Sequence, residues 1–412
     1  MKPIMKRLIP LLAFALLAIC CAPKSTPVLP ETLAGDWSGI IDGVGIAFEI
    51  HLGDTCYACS PDQTDLRLDL EVKEATDSSI RIKIPKVLAS YEGTVQGDSL
   101  IGTFGQMGQK LPLNLGRGKV VRNRPQTPQP PFPYAAEEVS FPSGDHTLAG
   151  TLTLPDGSPE TPVLLLITGS GAQNRDEELM GHKPFAVIAD AFARAGIATL
   201  RYDDRGTAQS TGDFDAATTA DLASDAAAGL RFLRSKGFSK VGALGHSEGG
   251  TIVFLLAGSP DTPEDARPDF IVSMAGMADR GDSTLVRQTT AMLEATGVPG
   301  ALAKLAVRKT LKQIKAQKPW GPYFLALDPA PAVAATRCPV LALNGEKDMQ
   351  VLPQYNLEKI RQLLPSADAR LYPGLNHLFQ HCETGLGTEY ANIEETISPE
   401  VLGEMAEWIL KQ

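Results

Sequence analysis

A chain of 412 residues exceeds the usual single domain of roughly 100–200 residues, so two domains and a sizeable core are expected. Its net charge of −10, with no long basic run, argues against nucleic acid or an anionic membrane surface as a partner.

Met1 to Ala22 opens with Lys2, Lys6 and Arg7, continues as the apolar run Leu8 to Ile19, and reaches Cys20-Cys21. A charged start followed by an apolar stretch too short to span a bilayer predicts a secretory signal over residues 1–20 and an exported protein. The two cysteines resemble the end of a bacterial lipoprotein signal, whose cysteine is acylated after cleavage. Cys21 is then the lipid anchor of a periplasmic or outer-membrane lipoprotein, with plain release as the alternative. Export also permits a small disulfide between Cys56 and Cys59. One C-x-x-C without a second pair is a poor zinc site, and Cys338 is expected to pack in the core.

After the tether Lys24 to Pro30 comes a segment, residues 31–122, whose pattern from Gly35 to about Leu115 has period two. Leu66, Leu68, Leu70 and Val72 interleave with Arg, Asp and Glu, and Ile80, Ile82 and Ile84 with Arg81 and Lys83. Turn clusters at Asp42-Gly43, Thr76-Asp77-Ser78 and Gln96-Gly97-Asp98 divide the segment into about six or seven antiparallel strands of a small all-β barrel or sandwich. His51 reads as structural. The stretch 123–134 is proline-rich and can neither pair as a strand nor persist as a helix, so it forms the linker.

Residues 135–412 read as an α/β domain. A lead-in hairpin over Glu137 to Leu154 precedes Val163 to Ile167, a continuous apolar run of the kind buried on both faces of a parallel sheet. Helices around Pro184 to Ala195 and Thr219 to Ser235 flank a strand at Ile197 to Tyr202. Further strands are expected at Lys240 to Leu244, Phe270 to Met274, Val340 to Leu343 and Ala369 to Tyr372, with helices after Gly250 and at Tyr355 to Leu364 and Pro399 to Leu410. Such alternation predicts a doubly wound, mostly parallel sheet with its active site beyond the carboxyl ends of the strands.

The chemistry centres on Gly245-His246-Ser247-Glu248-Gly249, a match to the G-x-S-x-G nucleophile elbow set between a strand and a helix. A serine needs a base, and the base needs an orienting acid. Only His377 and His381 follow Ser247. His377, in the loop after the strand Ala369 to Tyr372, is the expected base. Asp348, in the loop Asn344 to Asp348 after a buried strand, is the preferred acid, with Glu346 as fallback; Asp328 precedes its strand and faces away. The amide of Glu248 at the helix start is one expected oxyanion donor. The second comes from the glycine-containing loop after Ile167, Ser170 first and Gly171 next.

ITGSGAQNRDE, GHKPF, RYDDRG, GHSEGG, NGEKDMQV and LNHLFQ, in that order, resemble the alpha/beta-hydrolase superfamily, in a bacterial carboxylesterase branch related to dienelactone hydrolases and prolyl-oligopeptidase catalytic domains. The resemblance implies the triad Ser247, Asp348 and His377. It departs at Thr168, where many members carry the histidine of a His-Gly oxyanion motif, and at Thr207 to Ser210, which replaces a glycine-containing turn. Asp203, Asp204 and Arg205 are expected to be a structural ion-pair turn. Within about 279–335, helical patterns at Ser283 to Ala295 and Ala301 to Ile314 suggest a helical lid, with Met292, Leu293, Trp320, Tyr323 and Phe324 as either pocket lining or the lid's own core. Lys304, Arg308, Lys309, Lys312 and Lys315 give it a basic, solvated outer face.

The expected protein is a serine hydrolase that cleaves small-molecule carboxylic esters through an acyl-enzyme, with no metal or organic cofactor. A prolyl-type peptidase is the alternative among enzymes, with Glu248 or Glu177-Glu178 as the acids for a substrate amino terminus. A glycan- or lipid-binding surface lipoprotein with an inert hydrolase scaffold is the alternative from another class.

Overall fold

The computed structural model describes residues 29–62, 64–106, 108–155 and 161–412; the expected signal and Cys21 lie outside the described residues. The chain divides into two compact units. One holds residues up to Asn123 with Leu179–Gly181 and Gly387–Glu394; the other holds Arg124–Glu178, His182–Leu386 and Glu395–Gln412.

The first unit is one antiparallel sheet of nine strands: β1 (Gly35–Ile40), β2 (Ala47–Leu52), β3 (Tyr57–Ser60), β4 (Thr64–Asp69), β5 (Glu71–Thr76), β6 (Ser79–Ile84), β7 (Ala89–Gln96), β8 (Ser99–Gln106) and β9 (Gln109–Arg117). Their order is β4-β3-β2-β1-β9-β8-β7-β6-β5, so the two edge strands are neighbours in sequence. Inward side chains such as Trp37, Ile50, Leu68, Ile82, Tyr91, Leu100 and Leu113 share one core. A single sheet feeds one core, with more strands than the alternation suggested. The run Leu66 to Val72 reads as one strand but breaks at Leu70, because both sides of the break face the same core and the alternation passes through it unmarked. His51 is structural: its Nδ1 lies 2.6 Å from Asp36 Oδ1 and its ring stacks on Tyr57.

Cys56 and Cys59 are free thiols, so the disulfide that export would permit is not formed. Three extended residue steps separate their Cα atoms by about 10 Å and turn them to opposite faces, whereas a disulfide needs less than about 7 Å. Burial, together with the nearby Glu49 carboxylate, pushes the Cys59 thiol up to about 12.

The second unit is an eight-stranded sheet, and its sequence alternates strands with helices: β10 (Ala135–Ser143), β11 (His146–Leu154), β12 (Val163–Ile167), α1 (Pro184–Arg194), β13 (Ala198–Tyr202), α2 (Thr219–Ser235), β14 (Val241–His246), α3 (Glu248–Gly258), β15 (Ile271–Met274), α4 (Gly281–Ala295), α5 (Gly300–Ala316), α6 (Trp320–Ala326), α7 (Ala330–Ala335), β16 (Val340–Gly345), α8 (Leu357–Leu363), β17 (Asp368–Tyr372) and α9 (Pro399–Ile409). The strand order is β10-β11-β13-β12-β14-β15-β16-β17; the pairs made by β11 with β10 and β13 are antiparallel, and every later pair is parallel.

Both faces of the parallel part are covered, as β12 illustrates. Val163, Leu165 and Ile167 enter one core with Leu230, Ile252 and Ile360, whereas Leu164 and Leu166 enter another with Phe185, Phe192, Val401 and Met405. Thus α2, α3 and α8 lie on one face, and α1 and α9 on the other. Local chemistry starts these helices: Thr218 and Asp221 form a reciprocal capping box before α2, while Pro184 and Pro399 take the first position of α1 and α9, where no amide is needed. The strand order reverses beside β12, the position where open α/β sheets leave a crevice beyond their carboxyl ends. The loop after β12 and the turn after β14 both open there.

Candidate active site

The turn after β14 holds Ser247 at φ 55 and ψ −114, a left-handed conformation rare for a residue with a side chain. The strain follows from passing directly from strand into α3, with the Ser247 amide still bonded to the Met274 carbonyl at 2.8 Å. Two glycines make the turn possible: a Cβ on Gly245 would come within 2.1 Å of the Gly249 carbonyl oxygen, and one on Gly249 within 2.1 Å of the Ile167 carbonyl oxygen. Glu248 begins α3, so its amide has no intrahelical acceptor and is left as a donor beside the serine.

Asp348 and His377 meet from the loops after β16 and β17. His377 Nδ1 lies 2.8 Å from Asp348 Oδ2, with both side chains buried. Asp348 Oδ1 accepts the amides of Gln350 and Val351 at 2.7 and 2.9 Å, and Oδ2 also accepts from Asn344 Nδ2 at 2.9 Å. The carboxylate is thereby fixed before it touches the imidazole. Glu346 instead accepts the exposed Gly374 amide, and His381 is exposed and pairs with Glu395 at 2.8 Å. The His377 loop is brought to the elbow by the residue before the serine: His246 Nε2 lies 3.0 Å from the His377 carbonyl oxygen, and the two rings are 4.7 Å apart.

The loop after β12 runs alongside. A Cβ on Gly169 would stand 3.3 Å from the Ser247 Cβ, but the Gly169 amide already donates to Glu177 Oε1 at 2.7 Å. The next amides are those of Ser170 and Gly171; no acceptor for the Ser170 amide stands among the described residues, and Gly171 is exposed at φ 101. Thr168 donates its hydroxyl to Asp204 at 2.9 Å. The RYDDRG turn holds this loop in place: Asp204 also accepts the Gln173 amide, Asp203 pairs with Arg175 at 2.7 Å, and Arg205 with Asp225 at 2.6 Å.

Asp204 is buried. Desolvation, with the Glu177 and Asp225 carboxylates adding to it, outweighs the hydrogen bonds from Gln173 and Thr168 and pushes its pKa up to about 8. The unfolded carboxyl titrates near 3.9, so the folded state carries the extra proton between the two values. Its contribution to stability is therefore full below about pH 4 and is lost as pH rises to about 8. Asp204→Asn is expected to flatten this decline, read as urea midpoints at pH 5 and pH 8; an equal decline in both proteins would remove Asp204 as its source.

Sequence reasoning did not foresee the surroundings of Glu248. Its buried carboxylate accepts from the Ser170 hydroxyl at 2.5 Å, from Thr219 at 2.6 Å and from Trp320 Nε1 at 3.0 Å. Trp320 stacks on Phe324, and both pack with Met277 and Val351, so part of the 281–335 insertion lies against the loops after β15 and β16. Tyr323 is exposed, and Met292 and Leu293 are half-buried. Nothing in the spacing of Ser170, Thr219, Glu248 and Trp320 announces their cluster, since each lies in a different element.

Parts of the chain are similar to known proteins. Residues 144–310 match the family model described as X-Pro dipeptidyl-peptidase (S15 family), a match that ends before Asp348 and His377. The chain is 26% identical over 297 residues to Esterase EstD of Thermotoga maritima, covering 68% of this chain and 70% of that protein. Among solved structures, the esterase Pf2001 of Pyrococcus furiosus gives a TM-score of 0.45 at 15% identity, over 68% of this chain and 93% of that one. A proline iminopeptidase of Mycobacterium smegmatis gives 0.45 at 17% identity, over 67% and 98%.

Proposed function

We propose that this chain is a serine hydrolase of the alpha/beta-hydrolase superfamily that cleaves carboxylic esters through an acyl-enzyme formed on Ser247. His377 Nε2 takes the Ser247 proton as the hydroxyl oxygen attacks the ester carbonyl, and Asp348 keeps the other ring proton on Nδ1. The amides of Glu248 and Ser170 receive the oxyanion. Collapse of the tetrahedral adduct expels the alcohol, which takes the proton back from His377, and water then repeats the sequence to release the acid.

The observation that favours esters over peptides is the state of the carboxylates. An aminopeptidase of the prolyl type needs an acid to hold the substrate ammonium, and the three acids expected for that role already hold other partners. Glu248 takes three donors, Glu177 takes the Gly169 amide and His246, and Glu178 pairs with Lys183 at 3.3 Å. The S15 match over residues 144–310 favours the peptidase as the second reading. Helices α4 to α6 act as a lid in this proposal, supported by Trp320 and Phe324 standing against the loops that carry the site. Export and acylation at Cys21 belong to the same proposal, on the order of charged, apolar and cysteine residues at the start of the chain.

The test is a panel of p-nitrophenyl esters from acetate to laurate beside aminoacyl-proline p-nitroanilides. Ester kcat/KM is expected to exceed that of the amides by at least about 100-fold, a gap of about 3 kcal/mol in transition-state stabilisation. Faster cleavage of the prolyl amides would replace the esterase reading with the peptidase.

A further inference from the structure

Two buried groups beside Ser247 take no part in the steps above. Glu177, in the loop after β12, is 5% exposed; its Oε1 accepts the Gly169 amide and lies 3.0 Å from His246 Nδ1, while its Oε2 is buried with no partner among the described residues. His246, the last residue of β14, is 6% exposed, and its Nε2 faces the His377 carbonyl oxygen at 3.0 Å.

A neutral imidazole has one donor and one acceptor nitrogen. Both nitrogens of His246 face oxygens that accept, a carboxylate on one side and a peptide carbonyl on the other. A neutral ring would aim a lone pair at one of them; the doubly protonated ring satisfies both. The charged and titratable groups around it are Glu177 from the β12 loop, His377 from the β17 loop and, behind His377, Asp348 from the β16 loop; Asp204 lies on the far side of Glu177. Burial opposes a charge on His246, but the Glu177 carboxylate and the His377 carbonyl outweigh it and raise its pKa.

Taking Ser247, Asp348 and His377 as the triad, we propose that Glu177 and His246 form a second buried dyad that positions the catalytic histidine. Glu177 holds His246 as an imidazolium, and the imidazolium grips the main chain of His377. The same carboxylate oxygen grips the Gly169 amide, so one pair of residues fixes the oxyanion loop and the histidine loop against the elbow. His246 and Glu177 are positioning residues; neither exchanges a proton with the substrate. The His246 ring lies 4.7 Å from that of His377, tilted by 48°, and like charges at that distance repel.

Two measurements test this. In wild-type protein labelled with 15N-histidine, assigned with the His246→Gln variant, both His246 nitrogens are expected to remain protonated at pH 7.5. A single ring proton there would overturn the proposal without recourse to any variant's stability. In Glu177→Gln and His246→Gln, kcat for an ester is expected to fall about 10- to 100-fold with KM within about twofold, and the acid limb of kcat/KM to move up by about one pH unit. An acid limb unmoved in both folded variants, as judged by thermal melts, would reduce the pair to packing and overturn the role. Failure of the triad reading is distinct: hydrolysis that survives Ser247→Ala would remove the serine mechanism, and the 15N result would still decide the protonation of His246.

Discussion

Ser247→Ala is expected to lower kcat for p-nitrophenyl esters by about 10⁶ while leaving the fold intact. The prediction follows from how little else the side chain does. Ser247 sits at φ 55 because β14 runs straight into α3 between two glycines that admit no Cβ, and alanine meets the same backbone demand as serine. Its backbone amide, which alanine retains, makes the 2.8 Å bond to Met274. The melting temperature should therefore hold within a few degrees while the nucleophile is lost. Residual hydrolysis of about 10³–10⁴ over water is expected from the remaining oxyanion donors and substrate binding. A loss of less than tenfold, in enzyme free of contaminating esterase, would place the nucleophile elsewhere.

Asp348→Asn is expected to lower kcat by about 10⁴ with KM little changed. The carboxylate receives two amides on Oδ1, and an Asn344 side-chain donor together with His377 Nδ1 on Oδ2. An asparagine whose oxygen keeps the Gln350 and Val351 amides must turn its NH2 toward Asn344 and His377. Donor then faces donor at Asn344, and His377 can accept on Nδ1 only by moving its proton to Nε2, the atom that must act as base. The measurement is the pH profile of kcat in the variant, where a recovery toward high pH reports the wrong tautomer being overcome. Activity within tenfold of wild type would move the orienting role to another acid.

The elbow was legible in sequence because its constraints are local. Gly245, Ser247 and Gly249 are dictated by one strand-to-helix turn, and the apolar run Val163 to Ile167 declares a strand buried on both faces. The Asp348 and His377 loops were legible for a related reason, since each follows an apolar strand whose carboxyl end must open on the crevice. What joins those loops was not legible. Glu177 and His246 are 69 residues apart and His246 and His377 are 131 apart, and no periodicity links them. In the motif His246 occupies the position that tolerates any residue, and Glu177 has an expected role only in the peptidase alternative. The first unit shows a different limit. Alternation at Leu68, Leu70 and Val72 tells which side chains face the core, but it does not tell that the chain changes from one edge of the sheet to the other at Leu70. Likewise, Cys56-x-x-Cys59 suggests a bridge only until the backbone between the thiols is known to be extended.

The strands β16 and β17 stand at the far edge of the sheet and are also its last two in sequence. Ser247, the Gly169 loop and His246 belong to elements already complete before either is reached. A chain cut short after β15 therefore carries the serine without the loops that hold Asp348 and His377. The expected base and its orienting acid arrive only with the final part of the polypeptide.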